Sequence, residues 1–155
     1  MTSSASRALL SFVRKVALVD DTPRRTALAF ALGVFIAFSP FLGAHWALAL
    51  ALSFACRLSR AATLLGTLVN NPWTLVIIYP PSFALGTLIL GAGSEPFPNP
   101  GWDQAASLEF WRASARHLSG WFPRLILGTT ITGALAAVVS YPVALRLITR
   151  FRRRG

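Results

Sequence analysis

At 155 residues, with 54% hydrophobic and 13% charged side chains, the chain lies far from a soluble domain, in which about 25% of residues are charged. Its net charge of +10 comes from 14 arginines and one lysine against five acids, and a mean hydropathy of +0.57 excludes both disorder and a nucleic-acid module. The length allows one domain, and a single cysteine, Cys56, excludes an internal disulfide and a multi-thiolate metal site.

From Arg7 to Val19, Leu9, Phe12, Val13 and Val16 recur at helical spacing, while Arg7, Arg14 and Lys15 cluster on another face. This pattern predicts an amphipathic helix at a membrane interface. A secretory signal peptide is the alternative, but no clean apolar core with a small-residue cleavage site follows the charges, so retention of the N-terminus is expected. Asp20, Asp21 and Thr22 are candidate N-caps for the next helix, with Pro23 at one of its first positions.

Residues 26–56 carry no charge, and neither do 61–91 or 125–145, giving stretches of 31, 31 and 21 residues. A spanning helix needs about 20 apolar residues, so the third stretch fits one crossing and the first two are too long. Both long stretches contain breakers. Ser39-Pro40 and Gly43 divide Thr26–Phe38 from Ala44–Cys56, and each half would rise only about 20 Å. Asn70-Asn71-Pro72 ends an opening segment of the second stretch, and Pro80-Pro81 is expected to interrupt the remainder.

Residues 92–124 open with a Gly- and Pro-rich loop to Gly101, after which Asp103 caps a predicted helix. Leu108, Trp111, Ala115, Leu118 and Phe122 share one of its faces, with Glu109, Arg112 and Arg116 opposite. Trp102, Trp111 and Trp121 suit the headgroup zone, and the simplest reading is a second helix lying on the surface. In the last stretch Gly128, Thr132, Ala136 and Ser140 recur every four residues, widened by Gly133 and Ala137 into a small-residue ridge for close helix packing. The partner is either another helix of the chain or a second protomer, with intramolecular packing the default.

The charge is segregated: +3 over residues 1–25, +2 over 57–60, none net over 92–124, and +5 from Arg146 onward. If basic segments stay cytoplasmic, residues 26–56 must return to their starting face as a re-entrant hairpin, and 61–91 and 125–145 each cross once. Three kinked crossings are the rival topology, which would export the arginine tail. The expected fold is therefore an all-α integral membrane protein, with broken or re-entrant helices, two full crossings and amphipathic interfacial helices. Its regions are a cytoplasmic helix at 1–22, a membrane domain at 23–91 and a non-cytoplasmic segment at 92–124. A transmembrane helix at 125–145 and a basic cytoplasmic tail at 146–155 complete it.

Chemistry is sparse. Asn70 and Asn71 beside Pro72 suit a broken helix whose freed backbone groups bind an ion or headgroup, or else a plain Asn C-cap followed by proline. Helices restarting after Pro40 and after Pro72 offer N-terminal donors for an anion such as a lipid phosphate, if the two breaks meet. Such breaks are also found in purely structural kinks. His45 has no second ligand at metal spacing and is expected to bond a backbone carbonyl; His117 looks incidental. Arg24, Arg25, Arg57 and Arg60 border the broken segments, where they anchor to headgroups or attract an anionic substrate. The tail arginines fix orientation rather than contact nucleic acid. No triad, paired-carboxylate, Walker or dinucleotide motif is present, and all five acids lie outside the uncharged stretches, so no enzyme, metal or cofactor is expected.

From Pro23 to Gly91 an ordered pattern runs through Pro-Arg-Arg, Gly33, Pro40, Gly43-x-His45, Arg57, Gly66-Thr67, Asn71-Pro72-Trp73-Thr74, Gly86 and Leu90-Gly91. It resembles the bacterial membrane family known as domain of unknown function 2062, over about 70 of the 155 residues. One departure is Ser59, where that family tends to carry Asn. The resemblance implies an inner-membrane protein, supplies no reaction, and groups Pro40, Gly43, Asn71 and Pro72 as one construction. The expected role is binding or transport of an anionic lipid or small solute at the helix breaks, with Pro40, Gly43, His45, Asn70, Asn71 and Pro72 as candidate ligand residues. The alternative is a non-catalytic assembly module acting through helix packing. Membrane lipids, and a homo-oligomer or membrane-protein partner, are the expected contacts.

Overall fold

The computed structural model describes residues 22–40, 44–69, 72–91, 112 and 118–153. Among them there are five helices and no strand: α1 (Pro23–Ala37), α2 (His45–Ala55), α3 (Arg60–Thr67), α4 (Pro72–Leu90) and α5 (Leu118–Arg153). The amphipathic helix expected over 7–19 and nearly all of 92–117 lie outside the described residues.

Local chemistry explains the boundaries. Thr22 caps α1, its Oγ1 accepting from the Arg25 N–H at 3.4 Å, and Pro23 takes the first position, where the missing N–H has no bond to lose. The helix closes tightly at Phe38 and Ser39, whose N–H groups reach Phe35 and Ile36, because Pro40 forces its predecessor out of the helical region. Ser59 caps α3 by accepting from the Ala62 N–H. Asn, the residue expected at this position from the resemblance, caps as well as Ser does.

Two elements differ from expectation. Pro80 and Pro81 lie inside α4 without ending it, since proline's fixed φ is helical and only the hydrogen-bond ladder is thinned. Meanwhile α5 runs 36 residues, past the predicted end at 145 and through the basic segment to Arg153. Arginine is a good helix former, and cations are favourable at a helix C-terminus.

The chain divides into two compact units, residues 1–71 with 133–155, and residues 72–132, so α5 contributes to both. In the first unit α1 packs chiefly on α3. Ala29 and Ala62 form their buried contact, covered by Leu58, Ala61 and Leu65. The helices approach so closely that a Cβ on Gly33 would meet the Thr63 carbonyl and one on Gly66 the Phe30 carbonyl. Gly133 of α5 rests against Phe35 and Phe38. In the second unit the same device recurs between α4 and α5: Gly86 faces the Arg124 backbone and Gly128 the Ser82 backbone. Ser82 Oγ and Thr132 Oγ1 bond across that contact at 2.8 Å. The ridge beginning at Gly128 is thus engaged within the chain.

Side-chain sizes are distributed inside out. Among the described residues the largest fully buried side chain is Ile36, followed by threonines, serines and alanines, whereas Phe54 is 70%, Leu88 81% and Val138 70% exposed. Trp121, predicted for the headgroup zone, is buried and meets Phe122 edge to face.

Candidate functional site

The break between α1 and α2 positions one unusual group. Pro40 is half-buried in the bend after α1, Gly43 lies outside the described residues, and Ala44 gives α2 no side-chain cap. His45 then begins the inner face of α2 with Ala49 and Ser53 and is only 8% exposed. The other buried polar side chains return their hydroxyls to their own helices. Thr26 donates to Thr22 O, Ser53 to Leu50 O, Thr63 to Ser59 O, Thr67 to Leu64 O, Ser82 to Ile78 O and Thr129 to Leu125 O. His45 does not follow them, contrary to the expected carbonyl bond. Among the described residues both Nδ1 and Nε2 are buried without a hydrogen-bond partner, and the ring meets Trp46 edge-on. A buried polar group left this way costs about 1–3 kcal/mol.

Of the second break, Asn70 and Asn71 lie outside the described residues, and Pro72 is the first residue of α4. Pro40 and His45 stand in the first unit, and Pro72 opens the second. Among the described residues no three His, Cys, Asp or Glu side chains are grouped to hold a metal.

The four arginines take different places. Arg57 ends α2 in a left-handed conformation, φ 51°, with its N–H on Phe54 O and the Leu58 N–H on Ser53 O, a Schellman closure normally built on glycine. The Arg25 guanidinium donates to the Arg57 carbonyl and ties α1 to this turn. Arg60 lies 5.4 Å from the Phe54 ring centroid as a cation–π contact. Arg24 borders a cleft with Arg146 of α5. Since a side chain in the left-handed region costs about 1 kcal/mol, Arg57→Gly should raise the unfolding midpoint in mild detergent by an equivalent of about 0.5–1 kcal/mol. The carbonyl that Arg25 holds is kept, so a fall in the midpoint would mean that the Arg57 side chain itself carries a stabilising contact.

Two arginines have places that the sequence does not reveal. Arg146 counted only as part of the tail, although it immediately follows the uncharged stretch. Arg124 donates to the carbonyls of Gly91 and Gly120, securing the end of α4, where Gly91 has φ 82°. Neither role is visible before the helices are placed.

Among the described residues these features define an all-helical architecture with tight, small-residue crossings. Among the described residues one helix, Gly120–Arg153, is long and apolar enough to cross a membrane, while His45–Ala55 and Ile77–Leu90 are apolar but shorter. The chain belongs to the bacterial family DUF2062, described as "uncharacterized protein conserved in bacteria", whose family model matches residues 6–155. The match extends well beyond residues 23–91, which carried the resemblance. No curated protein and no solved structure matches the chain.

Proposed function

We propose that this is a non-enzymatic integral protein of the bacterial inner membrane that binds an anionic lipid headgroup or small anionic solute at the break before α2, in a transport or envelope-maintenance role. In this reading α1 and α2, of 15 and 11 residues, rise only about 22 and 16 Å and form the re-entrant pair. The 19 residues of α4 rise about 28 Å and cross once, and α5, at about 54 Å, crosses back and continues beyond the hydrocarbon. Both termini are then cytoplasmic. Small residues inside and large apolar ones outside support lipid as the surrounding solvent, because helices in lipid associate through close packing rather than through burial of large side chains.

The observation that carries the binding role is His45. An anion accepting from its ring N–H and from the uncapped first turn of α2 would satisfy both donors at once. The assembly alternative has less support, because Gly128, Thr132 and Gly133 already contact the chain's own helices.

The test is His45→Leu, compared with the unaltered protein after extraction from carbonate-washed membranes. Removing the orphaned nitrogens should raise stability by about 1 kcal/mol or more while reducing co-purifying phospholipid phosphorus several-fold. Unchanged phosphorus would refute the His45 site, and release of the chain by carbonate would refute the membrane reading.

A further inference from the structure

The first unit is polarised from end to end. Arg25 of α1 donates to the Arg57 carbonyl at the close of α2, and α3 starts at Arg60 and runs beside α1 in the same direction, Ala29 against Ala62 and Gly33 against Gly66. Leu145, Arg146 and Thr149 of α5 border a cleft with Thr22, Pro23 and Arg24, whereas Gly133 rests near the other end of α1, against Phe35 and Phe38. The charged side chains described in this unit therefore gather at or beyond the start of α1, away from the end where α1 closes and His45 opens α2. The 11 residues of α2 set His45 about 15 Å from the arginine end. That is half of a hydrocarbon core about 30 Å thick.

We propose that His45 holds the phosphate of an anionic phospholipid in passage between the leaflets, so that the protein moves such lipids across the bilayer. This rests on the membrane reading and on the His45 site above. With the arginine end among the headgroups of one leaflet, His45 stands near the bilayer midplane, where a charged headgroup crossing alone is least stable. Donors among the headgroups only bind lipid, whereas donors at the midplane lower the barrier to crossing, because they act where it is highest.

His45 is a suitable donor. It is 8% exposed, and among the described residues neither ring nitrogen has a hydrogen-bond partner, which leaves its N–H for a phosphate oxygen. The exposed Ala44 and Trp46 flank it, so the ring lies one residue from the helix surface. Acyl chains have a surface to follow, since Trp46, Leu50 and Phe54 are exposed along the length of α2. A soluble anion has to cross that apolar face to reach His45, while a lipid lies on it.

The test reconstitutes the full chain in vesicles of phosphatidylcholine and phosphatidylglycerol with a trace of fluorescent phosphatidylglycerol, and dithionite bleaches whatever reaches the outer leaflet. The unaltered protein should expose the inner-leaflet tracer while an entrapped soluble dye stays protected. A phosphate-free fluorescent glycolipid should remain inside. His45→Leu should slow the exchange about tenfold or more, since the lost bond is to a charged group, and His45→Gln, which keeps an N–H donor, should recover part of it. Depth is read separately. Cys56 is the only cysteine and is exposed, so a dye attached to it should be quenched by lipids spin-labelled near the headgroup. In Cys56→Ala/Leu48→Cys the dye should sit about 12 Å deeper and respond to lipids labelled near the chain ends. Equal depth at positions 48 and 56, equal movement of the glycolipid, or an unaltered rate in His45→Leu overturns the proposal. Loss of co-purifying phosphorus in His45→Leu, with no lipid movement by the unaltered protein, refutes the passage and leaves the binding role standing.

Discussion

Replacing Gly33 with alanine should destabilise the first unit by about 3 kcal/mol, although the same change on an open helix face would stabilise by about 1 kcal/mol. The opposite sign follows from contact geometry. The added Cβ would lie 2.0 Å from the Thr63 carbonyl oxygen and 2.9 Å from the Gly66 Cα, and both obstacles are backbone. No rotamer change relieves such a clash, so α1 and α3 must move apart and loosen the Ala29–Ala62 contact between them. Gly66→Ala should behave alike, its Cβ 2.3 Å from the Phe30 carbonyl oxygen. Because one separation of the helices relieves both clashes, the double variant should cost clearly less than the sum of the singles. Unfolding midpoints of the three variants in one detergent decide this, and a neutral or stabilising Gly33→Ala would mean that the helices are farther apart than described.

Gly128→Ala should have a comparable effect of about 3 kcal/mol in the second unit, with a distinct signature. Its Cβ would lie 1.7 Å from the Ser82 carbonyl oxygen, and the reciprocal Cβ on Gly86 would lie 1.8 Å from the Arg124 carbonyl oxygen. Separation here also breaks the Ser82–Thr132 hydrogen bond, leaving two hydroxyls with only their intrahelical bonds to Ile78 O and Gly128 O. Hydrogen exchange followed by mass spectrometry should show lost protection in α4 and the early part of α5, while α1 and α3 keep theirs. Equal loss across all helices would show that the two units unfold as one.

Local signals were legible in the sequence. Thr22-Pro23 and Ser39-Pro40 mark helix ends through backbone chemistry within a few residues, and the uncharged stretches mark where helices can be apolar, whereas Ser59 reads only as a departure from the family pattern until the structure shows it capping α3. What required coordinates depends on pairing between distant segments. Gly33 and Gly66 both belong to the ordered family pattern, yet neither position names the other as its partner. Arg57 reads as a headgroup anchor until its φ of 51° shows that it also closes a helix where glycine is usual. The continuation of α4 through Pro80-Pro81 was missed because a proline pair in sequence is a breaker by default, whereas its backbone angle is helical. For the site, the sequence singles out His45 but suggests a backbone bond that it does not make among the described residues, and Arg146 reads there as part of the tail. Gly43, Asn70 and Asn71 fall outside the described residues.

The return of the buried threonine hydroxyls to carbonyls one turn earlier has a consequence for assembly. A helix such as α1 or α3 is complete in its polar bonding before any neighbour reaches it, so it can form alone and find its partner afterwards by shape. Their crossing then depends on fit: without bulk at Gly33 and Gly66 the helices close, and with it they do not. The imidazole of His45 is the exception, because nothing on its own helix completes it.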